Sequence, residues 1–556
     1  MGTHSDTAAE GGTRQQGPDD AYDVLVVGGG PTGMMLGCEL LRRGIRVRII
    51  DRAPEPSPFP KALLVWPRSM DLFQDLGILG ELRKAGLDIN AFSYFSDRQH
   101  LATFDFPEPL VPVCLPQNET ERILRTRLAE LGGTVERGVR LLTFDRMDYS
   151  GSIDRTDGVT AVLEHADGRI ERAHAPFVAG TDGAGSAVRA QLGTGFSGST
   201  YETAFALVDC HIDGELPVDQ ALYYQSPAGA LVIVALPDNV FRFFCSLPPG
   251  ESVSMEKMQR VVDERGPRGV RLKDPVWESV FRVHARHAND FQLGRVFIAG
   301  DAAHVHSPAG GQGLNTGLQD AHNLAWKLAA VIRGEAPSDL LLSYGPERSA
   351  VAKRVVRDTD IQTRAWMVKR PGEVVVRNAA FQLAERAGFA RFYAPVMAGR
   401  RIAYPVVRDT QRPGGRTACR LLGRLPGRLQ IGAVFPRELA VPHGIAGPDA
   451  DPGRWTLAAV DRGPASSWRK ALETVAGDYP QVRLTGLAAA PTRRLTGCAR
   501  EGYYLIRPDG HIAAHGHLGD LPRLRKELTT VLGEPRPLAN PAAGPSSTPE
   551  AGPLAA

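Results

Sequence analysis

The chain lacks the features that mark membrane proteins, secreted proteins and nucleic-acid-binding proteins. Its 556 residues contain no run of about 18 apolar residues, which excludes a membrane-spanning helix. Residues 1–20 have no apolar stretch of the kind found in secretory signals and are expected to be disordered. The 65 Lys and Arg nearly balance the 62 Asp and Glu, so the net charge of +3 offers no basic surface for nucleic acid. We therefore expect a cytoplasmic protein.

Cysteine is scarce, and no two cysteines form a C-x-x-C pair. Without a secretory context, this spacing disfavours a disulfide framework and gives no reason to expect a metal site. Apolar surroundings such as VFRFFCSL predict small buried side chains rather than reactive thiols. The six cysteines are Cys38, Cys114, Cys210, Cys245, Cys419 and Cys498.

The order of apolar segments and turns predicts several domains, as the chain length allows. Residues 21–195 and 287–400 alternate strand, glycine turn and helix, which predicts a Rossmann-like α/β domain with a helical extension. Short apolar strands dominate residues 196–286 and predict an inserted β-rich domain. Residues 404–533 form a third α/β unit, and the Pro- and Ala-rich residues 534–556 are expected to be disordered.

A glycine turn between the first strand and the first helix carries the first strong signal. Gly28 permits the tight turn, Gly30 lets the backbone approach a pyrophosphate, and Gly33 lets the helix pack on the strand. Asp51, 23 positions after Gly28, suits a ribose with free hydroxyls and disfavours NADP there. The motif alone does not separate NAD from FAD. Its candidate cofactor residues are Gly28, Gly30, Pro31, Thr32, Gly33, Asp51 and Arg52.

A second motif separates the two cofactors. The strand RVFIA delivers Asp301, whose carboxylate can bind ribityl hydroxyls, and a Pro-Gly loop then opens a helix near Asn315. The N-terminus of such a helix can stabilise negative charge on a reduced flavin. A simple dehydrogenase needs neither feature, so the pattern favours FAD. The candidate residues are Gly300, Asp301, Pro308, Gly311, Gly313, Leu314 and Asn315.

A third element, FVAGTDGAGSAVR, lies between these two and carries Asp182 and Arg189. In this order and spacing, the three elements resemble the group A flavoprotein monooxygenases, the aromatic hydroxylases related to para-hydroxybenzoate hydroxylase. Asp182 to Arg189 resembles the family's Asp-Gly motif, which is associated with FAD and NAD(P)H. Gln117 resembles a glutamine that contacts FAD. Lys61 stands where the family often has an arginine on the pyrophosphate, and it keeps the charge without the bidentate fork.

The resemblance implies an activity. NAD(P)H, with NADPH favoured, would reduce FAD, and O₂ would then form a C4a-hydroperoxyflavin that hydroxylates an aromatic or polycyclic phenolic substrate. A step in polyketide or antibiotic biosynthesis is expected, with residues 196–286 binding this small molecule. Residues 404–533 resemble the thioredoxin-like domain of larger family members, although without a C-x-x-C no thiol redox role is expected. A homodimer is the expected assembly.

Candidate residues for the chemistry itself are few. The Pro-Gly loop of residues 307–313 is called the flavin loop here. His306, next to this loop, is a candidate base for a phenol. The alternative is that His304 and His306 only bind loop backbone groups. Alternating side chains in Tyr223-Tyr224 and Phe241-Arg242-Phe243 place one set toward the flavin and the other in a core, without indicating which. The substrate candidates chosen from these pairs are Tyr224, Phe241 and Phe243.

Other activities remain open at the level of sequence. Baeyer–Villiger oxygenation uses the same cofactor cycle and differs only in its product. A flavin-free NAD-dependent dehydrogenase would lack a flavin spectrum, and a non-catalytic flavin-binding protein would bind FAD without substrate-stimulated NAD(P)H oxidation. A flavin-dependent halogenase is disfavoured because the chain has no W-x-W-x-I-P motif.

Overall fold

The structure, a computed structural model, describes residues 21–247, 250–405, 430–460, 467–496 and 501–535. The predicted leader and all but the first two residues of the predicted tail lie outside these ranges, as do Cys419 and Cys498. The strands are β1 Val24–Val27, β2 Val47–Asp51, β3 Leu64–Val65, β4 Leu87–Asp88, β5 Ala91–Ser96, β6 Gln99–Asp105, β7 Val113–Cys114, β8 Val135–Arg137, β9 Val139–Arg146, β10 Val159–His165, β11 Ile170–Ala175, β12 Phe177–Gly180, β13 Phe196–Asp213, β14 Gln220–Ser226, β15 Gly229–Ala235, β16 Phe241–Leu247, β17 Arg271–Ala288, β18 Gln292–Leu293, β19 Val296–Ile298, β20 His304–Val305, β21 Trp455–Val460, β22 Val482–Leu487, β23 Gly502–Ile506 and β24 Ile512–His517.

Helices cover both faces of the first sheet and one side of the second, and a separate set packs on the C-terminal sheet. Among the described residues, none of these helices is long and apolar enough to cross a membrane. They are α1 Pro31–Leu41, α2 Pro67–Asp75, α3 Leu79–Ala85, α4 Gln117–Glu130, α5 Ala187–Leu192, α6 Met255–Arg265, α7 Gly313–Ile332, α8 Tyr344–Trp366, α9 Pro371–Arg386, α10 Ala390–Met397, α11 Arg437–Ala440, α12 Ser467–Gly477, α13 Ala489–Thr496 and α14 Leu521–Leu532.

A six-stranded sheet in the order β18-β19-β12-β1-β2-β8 forms the Rossmann-like domain that the glycine motif predicts. All its pairs except β18–β19 are parallel. The residues of β1, β12 and β19 are buried, as expected for parallel strands covered by helices on both faces. Pro31 starts α1, where its fixed φ suits the first turn and its missing N–H leaves no intrahelical bond unmade.

The second sheet has eight strands in the order β20-β17-β13-β16-β15-β14-β5-β6. It contains the region predicted as β-rich, but it also includes β5 and β6, which the sequence had grouped with the first domain. β5 reads AFSYFS and is apolar on both faces, so nothing local indicates its sheet. Its parallel pairing with β14, more than 120 residues later, decides the matter.

The C-terminal residues form a four-stranded sheet in the order β22-β21-β23-β24, with β21 and β22 parallel and the other pairs antiparallel. An apolar core that includes Trp455, Trp468 and Leu528 packs this sheet against α12 and α14, and Trp326 of α7 belongs to the same core. The predicted Pro-Asp-Gly turn joins β23 to β24 and is buried against the first domain. The likeness to thioredoxin stays a prediction.

Smaller sheets, β11-β10-β9 and β3-β7-β4, complete the described strands. Four cysteines lie in the described residues, and all four are free and buried, in keeping with the prediction of small apolar side chains. These are Cys38, Cys114, Cys210 and Cys245.

Candidate active site

The predicted cofactor motifs meet at one edge of the six-stranded sheet. The glycine turn follows β1, Asp51 ends β2, Asp182 follows β12 and Asp301 follows β19. These strands are parallel neighbours, so their carboxyl ends lie side by side. The edge of an open α/β sheet is where such folds bind their ligands.

The glycine turn leaves room for a phosphate in front of α1. Gly28 has a φ of +113°, a conformation that strains other residues, and a side chain at Gly33 would strike the Gly28 carbonyl. A Cβ at Gly30, in contrast, would meet nothing within 4 Å. The open space therefore lies at the helix N-terminus, where N–H groups are free to bind an anion.

Asp51 fixes this turn to the next strand. Its carboxylate accepts hydrogen bonds from the Gly29 N–H at 2.7 Å and the Ala53 N–H at 2.8 Å, and Arg137 lies 3.7 Å away. Arg52, the neighbouring candidate, is exposed. The carboxylate thus shapes the phosphate turn directly, with lone pairs left for a ribose hydroxyl.

The segment around Lys61 is held from two sides. Gln117, the first residue of α4, accepts a hydrogen bond from the Ala62 N–H at 3.1 Å. Arg242 of β16 donates to the Lys61 carbonyl at 2.6 Å and also to the Pro60 carbonyl, while Asp209 holds its guanidinium in a bidentate ion pair at 2.7 Å. The Lys61 side chain remains exposed toward the cofactor edge.

Asp182 and Arg189 mainly support the turn that carries them. The Asp182 carboxylate accepts from the Ser186 hydroxyl at 2.5 Å and the Ala187 N–H at 2.7 Å. Arg189 donates to the Ala302 carbonyl at 2.9 Å and lies 3.9 Å over the Phe196 ring. The pair therefore ties the Asp-Gly element to the Gly-Asp element, which fixes the position of residue 301.

Asp301 is a free acceptor. Its side chain is exposed, and it forms no hydrogen bond or ion pair with any residue that the structure describes. The preceding Gly300, with a φ of +60°, approaches Thr32 so closely that a Cβ would lie 2.7 Å from its hydroxyl oxygen. A free carboxylate at this strand end fits the ribityl hydroxyls of FAD.

The flavin loop is clamped at the start of α7. The helix begins at Gly313, two residues before the predicted start. Asn315 donates to the Leu64 and Gly311 carbonyls, both at 2.8 Å, and accepts from the Trp66 N–H at 2.8 Å. Its amide is therefore fully engaged in shaping the loop. Pro308 is exposed, and Gly311, Gly313 and Leu314 are partly exposed around the open helix N-terminus.

His306 has one committed nitrogen and one free nitrogen. Its Nδ1 lies 2.8 Å from the Ser307 carbonyl, which can only accept, so Nδ1 carries the proton. The buried Nε2 has no partner among the described residues and is left as an acceptor. Burial lowers the pKa of His306 to about 4, so the ring is neutral near pH 7. The backbone bond is the structural role that the sequence left open, and the free nitrogen keeps the base role open as well.

A buried charge network, made of Asp320, Lys327, Glu347, Arg348, Arg507 and Asp509, supports this edge from behind. Asp320 accepts from the Gly300 N–H at 3.0 Å, lies 2.6 Å from His304 Nε2, and pairs with Arg348 at 2.5 Å. Desolvation would raise the pKa of Asp320, but Arg348 and His304 outweigh it, so the pKa is lowered and the carboxylate stays charged.

The network continues into the C-terminal unit. Glu347 accepts from Lys327 at 2.8 Å and from Arg507 at 2.6 Å, and Arg507 pairs with Asp509 at 2.6 Å. The Asp509 carbonyl accepts from Arg68 at 2.7 Å. Sequence reasoning missed this network because a charged residue in an amphipathic helix normally faces solvent, and these partners lie on separate elements.

The second sheet turns different residues toward the flavin loop from those chosen in the sequence. Tyr224, Phe241 and Phe243 pack into a core with α6, on the far face of the sheet. Their contact with the substrate stays a prediction, which this packing does not favour. Alternation along the strands puts Tyr223 and Arg242 on the opposite face, and Tyr223 shares an apolar cluster with Ala309 of the flavin loop.

Aromatic rings line this near face. Phe205 and Phe244 stack at 5.1 Å with Phe281 beside them, and Tyr223 lies 5.1 Å from Trp366 at the end of α8. One turn earlier, Thr363 donates to the Ser307 hydroxyl at 2.6 Å. The aromatic face and the flavin loop are therefore in direct connection through α8.

Comparisons with known proteins identify the family of the chain. Residues 21–359 match the sequence profile of a family described as FAD binding domain. The chain is 33% identical, over 95% of its length and 96% of the relative's, to a 6-methylpretetramide 4-monooxygenase of Streptomyces rimosus. It is 31% identical, over 89% and 96%, to a rifampicin monooxygenase of Streptomyces venezuelae.

A solved structure gives the same result. An anhydrotetracycline hydroxylase of Streptomyces rimosus superposes with a TM-score of 0.71 at 26% identity, over 93% of this chain and 100% of that one. Together, the matched profile, the full-length relatives and the shared architecture confirm the family that the three motifs indicate. The chain belongs to the FAD-dependent aromatic monooxygenases.

Proposed function

We propose that this monooxygenase hydroxylates a polycyclic phenol, as a tailoring step in the biosynthesis of a polyketide or a related antibiotic. The observation that carries the proposal is the position of the flavin loop beside the aromatic face of the second sheet. Ala309 of the loop shares an apolar cluster with Tyr223, and Thr363 of α8 donates a hydrogen bond to Ser307. Flat apolar walls with a few polar groups suit planar polycyclic ligands. The tetracycline-type and rifampicin substrates named for the relatives support the same class.

The residues at the sheet edge fit FAD. The open N-terminus of α1 would take the pyrophosphate, Asp51 the ribose, Asp301 the ribityl chain, and the loop before α7 the ring. Bound there, FAD would supply the redox and oxygen-activation chemistry, for which no side chain has the means. The chain's own residues would orient the substrate and exclude water.

His306 is the proposed proton acceptor. With Nδ1–H committed to the Ser307 carbonyl, the free Nε2 is the only ring nitrogen able to accept a phenolic proton. Its low pKa keeps the ring neutral at neutral pH, so Nε2 can accept a hydrogen bond from the phenol, although it is a weak base. We expect His306→Gln to slow turnover of a phenolic substrate and to change the pH profile, with FAD content unchanged.

NADPH is the proposed reductant, ahead of NADH, and a homodimer is the proposed assembly. Initial rates with each nucleotide test the first point. Light scattering on the FAD-loaded protein tests the second, and a monomer mass at working concentration would reject the dimer.

The deciding experiment follows NADPH and NADH oxidation by FAD-loaded protein in the presence of hydroxylated polycyclic aromatics under ¹⁸O₂. We expect at least one compound to accelerate oxidation and to gain one ¹⁸O on a ring carbon. An oxygen inserted beside a carbonyl would instead indicate Baeyer–Villiger chemistry. Bound FAD without any substrate-stimulated oxidation across the panel would overturn the proposal in favour of a non-catalytic flavoprotein.

A further inference from the structure

Polar groups without a hydrogen-bond partner in the described chain cluster where residues of α9 and α10 pack beside Tyr94 of β5 and Tyr223 of β14. Tyr94 and Tyr223 lie opposite each other on these strands, with parallel rings 4.8 Å apart, and each is 5% exposed. Neither hydroxyl has a hydrogen-bond partner among the described residues. Tyr393 of α10 brings a third phenol close enough to raise the pKa of both tyrosines. Its hydroxyl also has no hydrogen-bond partner among the described residues.

The next position along each strand adds more such groups. Gln225, two residues after Tyr223 on the same face, is 1% exposed, and neither its amide oxygen nor its amide nitrogen has a partner in the described chain. Its neighbour Ser96 accepts a hydrogen bond from Arg377 of α9 at 3.1 Å. Gln225 therefore extends the unpartnered surface from the phenols toward this guanidinium.

Arg377 is a buried cation that forms no salt bridge with the described residues. It is 7% exposed, it donates only to Ser96 and Asn378, and its Nη1 has no partner. Desolvation lowers the pKa of Arg377, and the charge of Asp97 opposes this shift without forming a salt bridge. Burying an unpaired charge costs several kcal/mol, so such a group normally has a partner. An anionic oxygen of a ligand would be such a partner.

Gln225 and Arg377 both keep fully buried side-chain atoms without a partner in the described chain. Each unsatisfied buried group costs about 1–3 kcal/mol. The three tyrosine hydroxyls nearby also have no described hydrogen-bond partner. The groups share one face of the sheet, Trp366 packs on Tyr223, and α8 connects Trp366 to the flavin loop. The polar groups are therefore linked to the flavin loop through α8.

We propose that the phenol cluster, defined as Tyr94, Tyr223 and Tyr393 with Gln225 and Arg377, binds the oxygen substituents of the substrate. Its ligand is an aromatic polycycle with several oxygens, one of them an anionic phenolate or carboxylate that meets Arg377. The three hydroxyls donate to ligand oxygens, because burial keeps them protonated. The cluster thereby sets which ring faces the flavin. This inference rests on the proposed function.

The test measures binding to the FAD-loaded protein, read as quenching of tryptophan fluorescence. The probes are 1,8-dihydroxyanthraquinone and unsubstituted anthraquinone. Wild-type protein should bind the dihydroxy compound at least tenfold more tightly. Tyr223→Phe should weaken binding of that compound about three- to tenfold, the loss of one hydrogen bond, and leave anthraquinone binding unchanged.

Tyr224→Phe is the matched control. Tyr224 is the next residue on the same strand, but it stacks on Phe95 at 4.6 Å on the opposite face, so its variant should bind both probes like wild type. Tyr393→Phe, on a different element, should reproduce the selective loss seen with Tyr223→Phe. FAD content and circular dichroism check that all variants fold.

Several results would overturn the inference. These are equal affinity for the two probes, no binding of either, or equal effects of Tyr223→Phe and Tyr224→Phe. The outcome is separable from that of the proposed function. Selective binding without stimulated NAD(P)H oxidation would uphold the cluster and reject the activity, whereas oxidation unaffected by Tyr223→Phe and Tyr393→Phe would reject the cluster alone.

Discussion

The charge network and the phenol cluster are both buried and polar, yet they differ in how their groups are partnered. In the network, Asp320, Glu347 and Asp509 each meet a cation of the same chain. In the cluster, Arg377 and Gln225 retain unpartnered atoms. Both arrangements desolvate polar groups, but only the first recovers that cost within the protein.

This difference suits the charge network to support of the fold and the phenol cluster to binding of a ligand. A network whose carboxylates are satisfied internally gains nothing from a ligand, so its role is to hold Gly300 and the C-terminal turn in place. Groups without internal partners gain most when a ligand supplies the missing ones. Mutations in the network should therefore lower the free energy of unfolding. Mutations in the cluster should instead weaken ligand binding.

The largest effect is expected from Asp320→Ala. It leaves Arg348 buried without its carboxylate and releases the Gly300 N–H. The free energy of unfolding should fall by about 3–5 kcal/mol, as for other broken buried ion pairs. Urea denaturation of the FAD-loaded protein measures this, and weaker FAD binding, followed by flavin fluorescence, should accompany it. An unchanged unfolding midpoint would contradict the supporting role.

Acid should weaken the same network. Burial alone would raise the pKa of Glu347, but Arg507 and Lys327 outweigh burial and hold it at about 2, against 4.5 for a free glutamate. A carboxylate with a depressed pKa in the folded state stabilises the fold above the unfolded pKa, and this stability is lost as the pH falls from about 4.5 toward 2. Urea midpoints across that range should fall, and fall less steeply in Glu347→Gln. Parallel profiles for the two proteins would argue against Glu347 as a source of the loss.

Tyr223→Phe should behave differently from the network variants. Because the hydroxyl has no partner within the described protein, its removal should leave the free energy of unfolding unchanged or raise it by up to about 1 kcal/mol. Thermal unfolding of the ligand-free, FAD-loaded protein measures this effect. A loss of more than about 1 kcal/mol would mean that the hydroxyl serves the fold, and the contrast between the two regions would fail.

The smallest effect is expected at a surface ion pair. Asp478 and Arg525 pair in the C-terminal unit, but both are partly exposed. Asp478→Ala should change the free energy of unfolding by less than about 1 kcal/mol and leave FAD binding intact. The same denaturation experiment provides this baseline, and an effect as large as that of Asp320→Ala would show that charge removal in general, rather than burial, drives the losses.

Local signals predicted the turns and strand ends that meet at the edge of the first sheet. A few adjacent residues are enough to predict the tight turn at Gly28 and the buried strand that leads to Asp301. Helix α7 begins at Gly313, two residues before the start that the sequence predicts near Asn315, because Gly313 already has helical geometry.

Long-range information was missing elsewhere. Nothing in AFSYFS indicates that β5 pairs with β14, since that pairing is decided by residues far along the chain. The side of the sheet on which α6 packs decides which residues of β14 face the flavin loop, and the sequence does not reveal that side. Tyr224 was therefore chosen, whereas Tyr223 is the residue that shares a cluster with the loop. The charge network joins two helices, α7 and α8, and a distant turn, and no local pattern could reveal it.

The most direct test of the account is a crystal structure of the FAD-loaded protein with 1,8-dihydroxyanthraquinone. We expect the ligand on the near face of the eight-stranded sheet, with its oxygens at hydrogen-bond distance, about 2.5–3.2 Å, from hydroxyls of the phenol cluster. We also expect FAD along the edge formed by β1, β12 and β19. A ligand bound elsewhere, with the hydroxyls of Tyr94 and Tyr223 still unpartnered or bridged only to protein, would contradict the account.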